Sequence, residues 1–265
     1  MRVRFEDVTV ALGGRDVVHA ANLNVEPGTV VGLLGPNGSG KSTLLRTLYR
    51  AVRPRLGTVR LDDVDISSMT GRDAARAVSV MLQDPQTDFD LTVHELVLLG
   101  RAPHRRALGR DTPDDLRIVE QAMQGVGIDD LAERMVGTLS GGQRQRVMLA
   151  RALAQQTPVI VLDEPSNHLD IRHQIDLMTI VRGLGRTVIA ALHDLNLAMR
   201  YCDSVVVLVE GRVLAVGPPA DVLTPELIRA AFDVDARLLT DADDRVLSFR
   251  TPAELTIPRE SELHS

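Results

Sequence analysis

The sequence predicts an α/β fold: a largely parallel sheet covered on both faces by helices, with an antiparallel β subdomain at its start and an inserted helical subdomain. Three observations predict it. Continuous apolar runs recur at residues 30–34, 78–82, 159–162, 188–192 and 205–209, separated by helical sequence, as in strands buried on both faces. The first of these runs opens directly into Gly35-Pro36-Asn37-Gly38-Ser39-Gly40-Lys41-Ser42-Thr43, which fits the phosphate-loop pattern G-x-x-x-x-G-K-[ST] between a strand and a helix. From about Pro85 to Thr157 the rhythm breaks, leaving helix-like segments and no clear strand.

Taken in order, residues 3–10 and 17–25 read as strands around a Gly13-Gly14 turn, followed by the Glu26-Pro27-Gly28 turn. The phosphate-loop helix, with apolar Leu44, Leu45 and Leu48, is expected to end near Pro54, and residues 59–61 add a short strand. Helical periodicity then marks residues 93–100, 113–126 and 141–155. After Gly211 come a short strand at 213–216, a helix at 225–232, a hairpin about Asp243-Asp244 and a polar tail over 258–265. These readings divide the chain into a nucleotide-binding core (1–84 and 158–235), a helical subdomain (85–157) and a C-terminal extension (236–265).

Composition narrows the function. The chain has 265 residues, enough for one large domain with an insertion, and 44% of them are hydrophobic. Aromatics are 2%, so the core must be built from aliphatic side chains. A net charge of −6 argues against a nucleic-acid coat. Cys202 stands alone, excluding an internal disulfide, and falls in helical register with Leu195, Ala198 and Met199, which suits a small core residue. No apolar run approaches the ~18 residues of a membrane span, and strand-like sequence begins at once. The expectation is a soluble, cytosolic protein, with docking on something that is not soluble left open.

The phosphate loop carries the first chemistry. Its glycines let backbone N–H groups close around a phosphate, and the helix N-terminus adds favourable partial charge. Lys41 is the only lysine in a chain whose other basic side chains are arginines. A compact ammonium suits this loop, where a planar guanidinium would not fit. Lys41 is read as reaching the β/γ-phosphates and Ser42 as a Mg²⁺ ligand. The run at 159–162 ends in Asp163-Glu164. At the carboxyl edge of a parallel sheet, Asp163 is placed to hold Mg²⁺ and Glu164 to polarise an attacking water. Local sequence alone would equally fit a strand capped by solvated acids. Likewise Ser140-Gly141-Gly142 before a helix could be a plain N-cap or a second anion site.

Leu139-Ser140-Gly141-Gly142-Gln143, followed by Arg144-Gln145-Arg146-Val147, resembles the signature peptide of ATP-binding-cassette (ABC) ATPases. The resemblance covers about residues 3–235, with every hydrolysis motif in order. It implies a P-loop NTPase of the ABC type, hydrolysing ATP with Mg²⁺. It also implies a head-to-tail dimer in which Ser140, Gly141, Gly142 and Gln143 of one chain complete the other's nucleotide site. Gln83 resembles the Q-loop glutamine, a Mg²⁺ and water sensor. Ser166-Asn167-His168-Leu169-Asp170 resembles the D-loop, which makes cross-dimer contacts, and Asp170 is carried over with it. His193 resembles the switch histidine, though a lone histidine at a strand end is usually structural. The remaining histidines lack metal-ligand spacing.

One departure stands out. Where the family usually places an aromatic residue against adenine, this chain has Leu12, with Phe5 as another candidate. Leucine gives no aromatic stacking, so weak discrimination of the base is expected. Leu99-Gly100-Arg101-Ala102-Pro103-His104 and His193-Asp194-Leu195-Asn196-Leu197-Ala198 narrow the resemblance to ATPase subunits of iron-siderophore, haem and cobalamin importers. Those subunits sit on the cytoplasmic face of the membrane. They work with permease subunits and, through them, a substrate-binding protein, and not with nucleic acid. On charge alone the basic link from Arg101 to Arg110 reads as a solvated loop; the resemblance instead sets it beside the groove for a permease helix. A non-transport ABC ATPase acting as a clamp on nucleic acid or ribosomes is the alternative, disfavoured by the absence of a long coiled coil or second cassette.

Overall fold

The computed structural model describes residues 1–82, 90–105, 110–167, 169–241 and 244–250. Strands β1 (Val3–Leu12) and β2 (Arg15–Val25) form a hairpin. β3 (Val30–Leu34) leads through the phosphate loop into α1 (Lys41–Leu48). β4 (Leu56–Leu61), β5 (Val64–Asp65) and α2 (Gly71–Ala77) precede β6 (Val78–Met81). Three helices follow, α3 (Val93–Leu98), α4 (Pro113–Gly125) and α5 (Gly141–Ala154), with no named strand among the described residues between β6 and β7 (Val159–Asp163). Helices then alternate with strands through α6 (Ile171–Gly183), β8 (Thr187–Ala191), α7 (Leu195–Tyr201) and β9 (Ser204–Val209). β10 (Arg212–Gly217), α8 (Pro219–Val222), α9 (Pro225–Phe232) and the hairpin β11 (Asp235–Asp241) with β12 (Asp244–Arg250) complete the described residues.

The six-stranded sheet has the order β10-β9-β3-β8-β7-β6, parallel throughout except for β10 at one edge. A separate antiparallel sheet, β2-β1-β4-β5, lies against one of its faces. Pleating sorts the apolar residues into two cores. Val31, Leu33, Val161 and Leu208 pack with α1 and the antiparallel sheet. Val30, Leu34, Ile160 and Val207 pack with α5, α6, α7 and the helices of the insertion. Cys202 is buried, as its register suggested, and burial pushes its thiol up to about 12. Its Sγ lies 2.9 Å from where a side chain on Gly32 would begin. The hairpin β11–β12 docks on α7 through Asn196, whose amide exchanges hydrogen bonds with the Leu247 backbone at 2.7 and 3.1 Å.

Three local expectations are corrected. The phosphate-loop helix ends at Leu48, six residues early, because Arg50 turns the chain at φ 61. The helix expected over 93–100 ends at Leu98 and tightens into a 3-10 stretch, Leu99–His104, that accommodates Pro103. The basic link, read on charge alone as a solvated loop, begins with a buried ion pair. Arg101 is 5% exposed and donates from Nε to Asp115 Oδ1 at 2.8 Å and from Nη1 to the Ala154 carbonyl at 2.8 Å. Further along, Arg105 pairs with Asp111; residues 106–109 lie outside the described residues. Two of the link's arginines, Arg101 and Arg105, are thus paired within the fold.

The Arg101 and Thr112 hydrogen bonds hold the Asp115 carboxyl down at about 2. Arg101→Ala should cost about 3–5 kcal/mol of stability in urea unfolding, the usual consequence of breaking a buried pair. A depressed carboxyl stabilises the fold above its unfolded pKa of ~3.9. The advantage of the native chain over Asp115→Asn should therefore be complete above pH 4 and vanish as pH falls through about 2.

Candidate functional site

The loop after β3 can be built only because its backbone comes unusually close to its neighbours. A Cβ on Gly35 would lie 2.0 Å from the Leu208 carbonyl of β9. One on Gly211 would lie 2.2 Å from the Val17 carbonyl. The Gly211 amide donates to the Ser39 carbonyl at 3.0 Å, fastening the loop to the β9–β10 turn. Inside the loop, Lys41 Nζ donates to the carbonyls of Gly35 and Pro36 at 2.7 and 3.1 Å. Helix α1 starts without a side-chain cap, since Gly40 stands at its N-cap. By contrast Thr70, Thr92, Thr112, Ser140, Asp170, Asp194 and Thr224 cap α2 through α7 and α9. The first amides of α1 are left to an external acceptor. They face a cleft of about 160 Å³ lined by Val17, the run from Asn37 to Thr43, and Glu164.

β7 delivers two carboxylates to the same cleft edge. Ser42 Oγ donates to Asp163 Oδ1 at 2.8 Å. Glu164 follows in a left-handed conformation, φ 55, which turns its side chain out of the strand line. Its Oε1 lies 2.9 Å from His193 Nε2, and its Oε2 accepts from Asn167 Nδ2. Both carboxylate oxygens are therefore held, one from the end of β8 and one from the turn after β7. Burial pulls the Lys41 ammonium below its ordinary value, against the opposing influence of Glu164 and Asp163. Burial likewise pushes Asp163 up, partly offset by its bond from Ser42.

The remaining candidates are placed elsewhere. Ser140 caps α5 in a capping box with Gln143, at 3.1 and 3.3 Å, so the plain N-cap geometry is realised. Ser140 and Gly141 are exposed and do not line the cleft. Asp170 caps α6, accepting from the His173 amide at 2.9 Å. Leu12, at the tip of the β1–β2 hairpin, is 38% exposed and is not among the cleft-lining residues. Phe5 is buried inside the antiparallel subdomain's core and cannot reach a base. Gln83 and His168 lie outside the described residues.

Residues 18–167 match the ABC transporter family. The chain belongs to that family. It is 45% identical over 242 residues to the cobalamin import ATP-binding protein BtuD of Halobacterium salinarum, covering 89% of this chain but only 60% of that longer one. It is 39% identical to the iron(3+)-hydroxamate import ATP-binding protein FhuC of Bacillus subtilis, with 89% of each chain covered. It is 40% identical to the hemin import ATP-binding protein HmuV of Bordetella bronchiseptica, covering 90% and 95%. Among solved structures, a metal-chelate type ABC transporter in an inward-facing conformation superposes with a TM-score of 0.81 at 24% identity, covering 94% and 96%. A dimeric bacterial ABC transporter cassette superposes with a TM-score of 0.72 at 27% identity, covering 82% and 98%. The fold is that of an ABC ATPase.

For an ABC ATPase the site fits its nucleotide and metal. Uncapped amides, the loop glycines and Lys41 suit a triphosphate, and the adjoining Ser42 and Asp163 oxygens suit a hard divalent cation. Two site residues were not legible in the chain. Val17 is an ordinary strand valine until the fold sets it on the cleft. Asn167 is assigned to cross-dimer contact by resemblance, whereas here it grips Glu164 within its own chain. Gly35→Ala should weaken nucleotide binding at least ~10-fold by nucleotide-dependent thermal shift, since overpacking costs about 1–3 kcal/mol. Gly183→Ala, whose Cβ would meet open space, is the control expected to bind normally.

Proposed function

We propose that this chain is the ATP-hydrolysing subunit of a multi-subunit importer carrying an iron-siderophore, haem or cobalamin. The observation that carries hydrolysis is the meeting of Lys41, Ser42, Asp163, Glu164 and His193 at one edge of the sheet. The uncapped first turn of α1 and Lys41 hold the triphosphate. Mg²⁺, held by Ser42 and Asp163 with Gln83 as sensor, supplies charge neutralisation on the phosphates when bound. Glu164 orients the attacking water and takes up its proton. His193, now on Glu164 Oε1, is placed to pass between that carboxylate and a γ-phosphate. Asn167 on Oε2 keeps the carboxylate aimed while His193 moves.

A second copy completes the site. Ser140 and the Gly141–Gly142 amides, exposed at the start of α5 with Gln143 bracing the cap, are offered to the partner's γ-phosphate, and Asp170 belongs to the segment facing that partner. The structural likeness to a dimeric cassette supports this arrangement. No helix among the described residues is long and apolar enough to cross a membrane. On this reading the chain works with permease subunits, reached from the cytoplasmic face. A cleft of about 570 Å³ is suited to receive a permease helix. Its lining includes Tyr49, Arg53, Ala74, Leu82, Arg151 and Gln155. The link Leu99–His104 lies next to it, since Arg72 and Arg76 both donate to the Pro103 carbonyl, at 2.8 and 3.0 Å. The choice among cargoes rests on the relatives alone, which the permease and binding protein would decide.

Glu164→Gln should lower turnover by about 10²–10⁴-fold while leaving ATP binding intact and accumulating an ATP-bound dimer by size-exclusion chromatography. Undiminished turnover would remove Glu164 from this role. Because Leu12 offers no stacking surface, ATP and GTP should compete nearly equally in a displacement assay. Leu12→Tyr should tighten ATP by about 1–3 kcal/mol.

A further inference from the structure

The glycine of the signature turn is packed against a histidine that the hydrolytic chemistry does not use. A Cβ on Gly142 would fall 2.2 Å from His173 Cδ2, 2.6 Å from Cγ and 2.7 Å from Nε2. The imidazole therefore occupies the space that any side chain at position 142 would need. Gly142 is buried beneath it although Ser140 and Gly141, just before it, are exposed. The ring is not free to swing away. His173 sits in the first turn of α6, and its Nδ1 lies 2.7 Å from the same Asp170 oxygen that accepts the His173 amide. These two bonds hold the Asp170 carboxyl below its usual range. One turn further along both helices, Arg146 Nη2 meets Asp176 Oδ2 at 2.8 Å, so α5 and α6 are tied side by side at two successive levels.

The chain between these contacts is short. Glu164 ends β7, Asn167 grips its carboxylate, Asp170 caps α6, and His173 bears on Gly142. The segment that sets the water-orienting carboxylate thus reaches the signature turn within ten residues. We infer that His173 is a positioning residue that locks the first turn of α5 to the segment bearing Glu164. Through it, the chain's own catalytic carboxylate and the signature turn it offers a second chain are held in one fixed relation. The inference rests on the reading of Ser140 and Gly142 as γ-phosphate contacts across the dimer. It makes His173 the link between the two composite sites of that dimer, since Glu164 serves one nucleotide and Gly142 the other.

The test is a double-mutant cycle on the full chain, with four readouts: ATP affinity of the isolated chain, ATP-driven dimerisation in the Glu164→Gln background, steady-state turnover and its Hill coefficient. Gly142→Ala should reduce turnover about 100-fold, by forcing the turn off the ring, and His173→Ala about 10-fold, with a flattened Hill coefficient. Combined, the two should be at least about 10-fold more active than Gly142→Ala alone, because removing the ring makes room for the methyl group. Affinity of the isolated chain for ATP should stay within about two-fold throughout. His173→Gln, able to keep the bond to Asp170, should recover part of the loss, and thermal unfolding of each variant separates this from misfolding. Losses that simply multiply in the double variant, or a parallel fall in ATP affinity of the isolated chain, would overturn the inference. If the Glu164→Gln background gives no ATP-dependent dimer, the dimer reading itself fails. If it dimerises and His173→Ala leaves dimerisation, turnover and Hill coefficient at native levels, only the role of His173 fails.

Discussion

Everything at this site depends on how closely the loop after β3 lies against the β9–β10 turn. With Gly35 pressed to the Leu208 carbonyl and Gly211 bound to Ser39, no side chain separates the two backbones. That approach fixes where α1 begins, and with it the direction of its unshared amides. Sheet order does the rest. β3 lies beside β8, and β8 beside β7, so Lys41 with Ser42, His193, and Asp163 with Glu164 leave the carboxyl ends of three adjacent strands. Residues up to about 150 positions apart in the chain meet because parallel pairing brings equivalent strand ends together. The glycines therefore set the chemistry indirectly, by deciding the register of the loop against the sheet.

The charged groups are arranged so that each has a partner before any nucleotide arrives. Lys41 is satisfied by loop carbonyls, Asp163 by Ser42, and Glu164 by His193 and Asn167. Buried groups left bare would cost the fold dearly, and these bonds avoid that cost with groups that phosphate and metal can replace. On the proposed reading Lys41 would exchange neutral carbonyls for anionic oxygens, a stronger bond. Binding would then be an exchange of partners within a preformed frame. Burial, which lowers Lys41 and raises Asp163, disfavours their charges in the resting site and sharpens their response to an incoming opposite charge.

Much of this was legible in the chain because it is local. The strands announced themselves as apolar runs, and the helices over 113–126, 141–155 and 225–232 were read to within a residue of their observed ends. The phosphate loop and the acidic strand end each carry their chemistry within a few consecutive residues. What could not be read depends on contact through space. Arg101 looked like a solvated charge because its partners, Asp115 and the Ala154 carbonyl, lie 14 and 53 residues away. Phe5 looked available to a base because strand alternation does not say which face is covered. His173 has no metal-ligand spacing in the sequence, and only the fold lays it on Gly142. Helix ends were misjudged where backbone conformation, as at Arg50, overrides composition.

α5 is the element in which these threads join. Its first turn presents Ser140 and carries Gly142 under His173, while its last turn places Arg151 and, just beyond, Gln155 on the wall of the large cleft. Gln155 also reaches across to the carbonyls of Ala75 and Val78, tying that end to α2 and β6. Between the two ends Val147, Leu149 and Ala150 are fully buried in the core shared with β7 and β8. A helix of fourteen residues is a rod of about 21 Å, and a tightly packed core resists its bending. On the proposed reading, a shift of the signature turn as it closes on a second chain's nucleotide cannot be absorbed along α5. It must appear at the far end, where a permease helix would rest. The same rigidity works in reverse, so occupancy of the cleft would bias the signature turn and, through His173, the segment that holds Glu164.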